Sequence, residues 1–171
     1  MPRVALDLNT DEDRQKVNGQ WRLAEGLVPG EPNEGLTARM LASPPRLPNF
    51  DDSSWRICSN VRESLSEGFT FAWYRMVVEF PETLNGVPVA GSRVFFETNI
   101  DNYGEVWIDG QIDRATGVIV GINATQRVEV VNSAIPGEKH VIAVLVLNGP
   151  LAEPRGGIWM RFATLAFESA G

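Results

Sequence analysis

The chain has 171 residues, enough for one domain with a substantial core and short for two. Its formal net charge of -7, with basic residues scattered along the chain, argues against a phosphate-binding face. No segment is apolar for long enough to span a bilayer, so neither nucleic acid nor a membrane is an expected partner.

Residues 1–18 lack an apolar signal region and soon turn acidic, so they are expected to be an N-terminal extension rather than a signal peptide. One domain is expected over 19–171. Gln20–Ala24 has the pattern of a short opening strand. From Glu25 to about Asn49 the chain is rich in Pro, Gly and Asn and shows no helical period. That length exceeds ordinary connections, so the segment either serves function or contains short pieces of structure. Trp55–Cys58 is a second strand signal. In Phe69–Phe80, Tyr74, Met76, Val78 and Phe80 alternate with Trp73, Arg75, Val77 and Glu79, the mark of a half-buried strand.

A loop punctuated by Pro and Asn-Gly follows, over Pro81–Ser92. In Val94–Ile100, Val94, Phe96, Thr98 and Ile100 oppose Phe95, Glu97 and Asn99. Beyond it Val106 and Ile108 oppose Glu105, Trp107 and Asp109. Asp109-Gly110 then signals a two-residue hairpin, whose turn needs positive φ at both central residues. Val118–Ile122 and Gln126–Val131 are further strand signals. Lys139–Leu147 is apolar on both faces, as a central strand would be. Gly157–Glu168 places Ile158, Met160, Phe162, Thr164 and Ala166 on one face. Such a series implies an all-β, antiparallel jelly-roll sandwich with little helix.

Four stretches, FDDSSW (50–55), WYRMVVEFPE (73–82), VFFETNIDNYGEVWIDGQ (94–111) and PGEKHVIAVLVLNG (136–149), resemble, in this order, the sugar-binding domain of glycoside hydrolase family 2. More broadly they resemble galactose-binding-domain-like jelly rolls. The resemblance runs from Gln20 to Glu168. Asp109 stands where the family usually has Asn, and Lys139 where Asn is common. The family's catalytic carboxylates lie in a separate barrel domain, so the resemblance implies a sugar-binding-like module rather than a glycosidase.

No catalytic constellation appears in the sequence. The single cysteine, Cys58, excludes an internal disulfide and favours a reducing compartment, with the cytoplasm as the expected location. The sequence has one histidine, His140, so the ligand clusters of a metal cupin or a zinc hydrolase cannot form. Cys58 is expected to be a buried small hydrophobe, and His140 an edge or structural residue. Asp51 and Asp52 sit where short polar side chains stabilise turns. Asp101, Asn102 and Glu105, with Glu168 as a further donor, are the candidates for a structural calcium, which galactose-binding-like modules often hold. No other cofactor is expected.

Sugar recognition needs a flat aromatic face with amides, carboxylates or Arg reaching the hydroxyls. Trp55 and Trp73 belong to the framework, and Trp107 is expected to cover the sheet or pack against another domain. The candidate carbohydrate site is therefore Asp101, Asn102, Tyr103, Arg155 and Trp159. The leading expectation is a non-catalytic carbohydrate-binding or accessory module. Unpaired sheet edges suggest a homo-oligomer, and a partner enzyme is the other expected association. Two alternatives remain open: a small enzyme acting on a sugar or sugar acid through Asp51, Asp101, Glu105 and Arg155, or an interaction protein without a small ligand.

Overall fold

A computed structural model describes residues 3–30, 44–63, 70–149 and 157–169. In chain order the strands begin with β1 (Arg3–Asp7), β2 (Arg22–Glu25), β3 (Arg56–Ile57), β4 (Thr70–Glu79), β5 (Thr83–Leu84) and β6 (Val87–Pro88). They continue with β7 (Arg93–Ile100), β8 (Tyr103–Ile108), β9 (Val118–Val120), β10 (Ala124–Val131), β11 (Lys139–Asn148) and β12 (Met160–Glu168). A short helix, α1 (Asp11–Gln15), and a 3-10 turn at Pro44–Arg46 complete the described elements.

The strands form two antiparallel sheets, ordered β1-β12-β7-β10 and β3-β2-β4-β11-β8-β9, with β5 and β6 as a small separate hairpin. The sheets enclose one main core. Tyr74, Met76, Val78 and Phe80 face Val94, Phe96 and Ile100 across it, as the alternation in the two segments requires. The fold is an all-β sandwich. As its two-sided apolar character demands, β11 is central, paired with β4 on one side and β8 on the other.

Residues 3–18, expected as an extension, supply part of the sandwich itself. β1 pairs with β12 along its whole length, from Arg3 with Glu168 to Asp7 with Thr164. Leu6, Leu8 and Val17 lie in the main core, and the Leu8 carbonyl accepts the Trp21 indole N–H at 3.1 Å. Five residues of alternation are too few to stand out beside the acidic run of α1, where Thr10 caps the helix.

Two expectations about strand faces are corrected. β4 is not half-buried: it is covered on both faces as far as Met76 and opens only at Val77, and its expected start at Phe69 lies outside the described residues. The cause is a second apolar cluster, Leu27, Trp55, Phe71, Trp73, Ala143 and Leu145, on the outer face of the six-stranded sheet. Segments 26–30 and 44–55 supply Leu27, Trp55 and Phe50 to this cluster. In β12 the core residues are Met160, Ala163, Leu165 and Phe167, not the expected series through Phe162, Thr164 and Ala166. Pairing with β7 shifts between Met160 and Ala163, and the irregularity reverses the alternation beyond it. The Thr98 hydroxyl donates to the Phe162 carbonyl at 2.8 Å at this point.

Arg75 fixes the covering segment. It is 1% exposed, and its guanidinium binds Asp52 at 2.9 Å and donates to the carbonyls of Leu47 at 3.0 Å, Phe50 at 3.3 Å and Pro45. The five donors of arginine suit this convergence, which no lysine could match. The FDDSSW and WYR stretches are thus joined by an ion pair between the buried Arg75 and the half-buried Asp52.

Candidate functional site

The alternation of β8 decides what faces outward. Gly104, Val106 and Ile108 turn into the sandwich, while Tyr103, Glu105 and Trp107 stand half-buried on the outer face of the six-stranded sheet. Gly104 permits the close approach beneath them: a Cβ there would lie 2.6 Å from Ile100 Cδ1 and 3.2 Å from the Leu145 carbonyl oxygen. At the far end of the strand Asp109 (φ 50°) and Gly110 (φ 79°) make the expected tight turn. The Asp109 carboxylate accepts the Val141 N–H at 2.7 Å and meets His140 Nδ1 at 2.7 Å. This second bond is available to a carboxylate at the position where the family usually carries Asn.

Beside these outward side chains lies a cavity of about 320 Å³. Leu27, Trp73 and Leu145 supply its apolar wall, continuous with the outer cluster. Glu105 joins the two aromatics of β8. Its Oε1 accepts the Tyr103 hydroxyl at 2.7 Å, and its Oε2 accepts the Trp107 indole N–H at 2.9 Å. Burial, together with the bond to Glu105, pushes the Tyr103 phenol up to about 12. Both rings are therefore held by one carboxylate.

Two arginines complete the lining. Arg46, on the 3-10 turn, stands over the Trp107 ring with its guanidinium carbon 5.5 Å from the centroid. Arg114 is exposed in the segment joining β8 to β9. Glu105 is the one carboxylate among the described lining residues. The cavity thus offers aromatic faces and cationic donors for binding. Its described lining lacks the second acid that paired-carboxylate glycoside hydrolysis uses.

The residues expected from the sequence to form a carbohydrate site fall into two places. Asp101 and Asn102 form the turn that carries the chain from β7 to β8, with a cis peptide between them. Asn102 Oδ1 accepts the Gly149 N–H at 3.0 Å and its Nδ2 donates to Asp101 at 2.8 Å. Because Met160 pairs with Ile100, the antiparallel register brings half-buried Trp159 to the same end of the sandwich as Asp101. Tyr103 instead lines the outer-face cavity, and Arg155 lies outside the described residues. Trp107, expected to cover the sheet, does so and also lines the cavity with Tyr103. The signal was present in the sequence as an aromatic-acid-aromatic series at alternate positions of one strand.

The remaining candidates have local partners. Glu168 pairs with Arg127 at 2.6 Å on the four-stranded sheet, whereas Glu105 is held by Tyr103 and Trp107 on the other. Among the described residues no group of three or more His, Cys, Asp or Glu could hold a metal ion. Asp51 accepts the Ser53 N–H at 2.9 Å in a local turn. Cys58 is buried, and burial pushes its thiol up, away from the reactive thiolate.

No family model matches the sequence, and no curated protein matches it. Solved structures do. A β-glucuronidase of Bacteroides uniformis superposes with a TM-score of 0.64 at 15% identity, over 97% of this chain and 18% of that one. A glycosyl hydrolase family 2 member from Bacteroides cellulosilyticus gives 0.63 at 15% identity, over 96% and 21%. The fold is the sandwich found in family 2 glycoside hydrolases. A β-glucuronidase of Faecalibacterium prausnitzii gives 0.57 at 16% identity, over 97% and 31%. The chain therefore spans between about a fifth and a third of the length of these enzymes. Among its described residues no helix is long and apolar enough to cross a membrane.

Proposed function

We propose that the chain is a non-catalytic carbohydrate-binding or accessory module of the glycosidase type, and that it binds its ligand in the outer-face cavity. The observation that carries this reading is the pairing of Tyr103 and Trp107 through Glu105 beside a space of about 320 Å³. Ligand sites are concave, largely apolar and preformed, with a few placed polar groups. Tyr103, Glu105 and Trp107 meet that description because the hydrogen bonds orient the rings before any ligand arrives. The turn at Asp101–Asn102 and the adjoining Trp159 form the secondary surface for a longer glycan, with Arg155 as its candidate donor. The buried single cysteine fits a cytoplasmic location.

An accessory role beside a catalytic partner is supported by apolar side chains at the β9 edge of the six-stranded sheet, where Val120 and Ile122 are 69% and 79% exposed. The carbohydrate reading is tested by thermal shift across a panel of mono- and disaccharides. At a ligand concentration about a hundredfold above Kd, binding adds about 2.7 kcal/mol, enough for a clear rise in Tm. Trp107→Ala is expected to abolish the rise. A panel that moves the melting temperature of neither protein contradicts the proposal.

A further inference from the structure

We infer that the outer-face cavity selects an acidic saccharide, a pyranose bearing a carboxylate or a sulfate ester. This rests on the carbohydrate reading of the same cavity and adds the charge of its ligand.

The argument begins with the inventory of charge. Arg46 and Arg114 line the cavity against one carboxylate, Glu105. Glu105 already accepts a hydrogen bond on each oxygen, from Tyr103 and from Trp107. Each of its oxygens is thus already engaged inside the protein. Among the described residues Arg46 and Arg114 make no ion pair, a condition they share with the exposed Arg56, Arg62 and Arg161, whereas Arg3, Arg14, Arg22, Arg75, Arg93 and Arg127 each have an acidic partner. The cavity therefore joins two arginines to a single carboxylate in a chain of net charge -7.

The geometry joins this charge to a flat surface. Arg46 lies over the Trp107 ring, so a ligand against the indole edge meets a guanidinium directly. Arginine binds planar anions through paired N–H donors, and such charge-assisted bonds are about twice as strong as neutral ones. A neutral sugar would offer the guanidiniums hydroxyl acceptors only, without a charge to pair. A free anion would leave the aromatic wall uncovered. A sugar carrying an anionic group satisfies both.

The test is calorimetric titration of the full chain with glucose, glucuronic acid, glucose 6-sulfate and sodium acetate. The acidic sugars are expected to bind at least about tenfold more tightly than glucose, the difference expected of one charge-assisted hydrogen bond, and to weaken as salt is raised. Whichever of the two binds more tightly identifies the source of the anion. Arg114→Gln, at an exposed position, is expected to fold normally and to lose most of that preference. Equal binding of glucose and glucuronic acid, unchanged in Arg114→Gln, overturns the charge assignment but leaves carbohydrate binding standing. Acetate binding as tightly as glucuronic acid overturns recognition of the ring. Failure of every sugar to bind removes the underlying reading instead.

Discussion

Arg75 shows how much one side chain carries in this protein. It joins a central strand to the segment that covers the outer sheet, and Asp52 together with three backbone carbonyls depends on it. Removing the buried partner of this pair leaves the others unsatisfied, so Arg75→Ala is expected to lose about 3 kcal/mol in urea unfolding, with Arg75→Lys recovering little of it. Tyr103 makes a different prediction, about pH. Its folded pKa is raised above the value of an unfolded tyrosine, so its stabilising effect is complete below pH about 10 and fades as pH rises through about 12. Burial also raises the pKa of the other tyrosine, Tyr74. Absorbance at 295 nm should therefore show little tyrosinate in the folded protein at pH about 10.5, and half-ionisation near pH 10 would contradict this. Arg75 was legible as part of a motif but not as a buried residue. Alternation assigns a charged side chain to the exterior unless something else covers that face.

The strands were more readable than their faces. The β8 hairpin was explicit in its alternation and its Asp-Gly turn, because both follow from local backbone geometry. The reversal in β12 was not, since a bulge is set by the pairing with β7 rather than by residues 160–163 alone. The cavity was half legible for the same reason. Tyr103, Glu105 and Trp107 share a strand face, but Arg46 arrives from a distant 3-10 turn. At this scale Gly104 is the sensitive point, where β8 lies against Ile100 and Leu145. Gly104→Val is expected to cost about 1–3 kcal/mol as overpacking and to weaken saccharide binding by displacing the strand. Chemical denaturation gives the first quantity; a melting temperature equal to that of the wild type would sink the packing account.

For the whole molecule, the sandwich is closed by residues at both ends of the described chain. β1 covers the edge of β12, and Leu6, Leu8 and Val17 fill the main core. Deleting residues 1–18 is therefore expected to abolish the cooperative unfolding transition and to promote association through the exposed β12 edge. A truncated monomer that melts like the full chain would show the segment to be dispensable. Fold class, by contrast, was already in the sequence, through several short alternating strands and four family-like stretches in the right order. The ligand was not, because ligand chemistry depends on which loops reach the outer sheet.

The central claim, that the outer-face cavity binds carbohydrate against Trp107, is tested most directly by nitrogen-15 NMR of the indole N–H groups. The chain has 5 tryptophans, and the cross-peak of Trp107 is identified as the one missing in Trp107→Phe. Added glucuronic acid is predicted to shift that peak in a saturable way. The peak of Trp21, buried in the core and bonded to Leu8, should remain in place. A saturable shift of Trp159 with Trp107 unmoved, or no indole shift with any saccharide, would contradict the account.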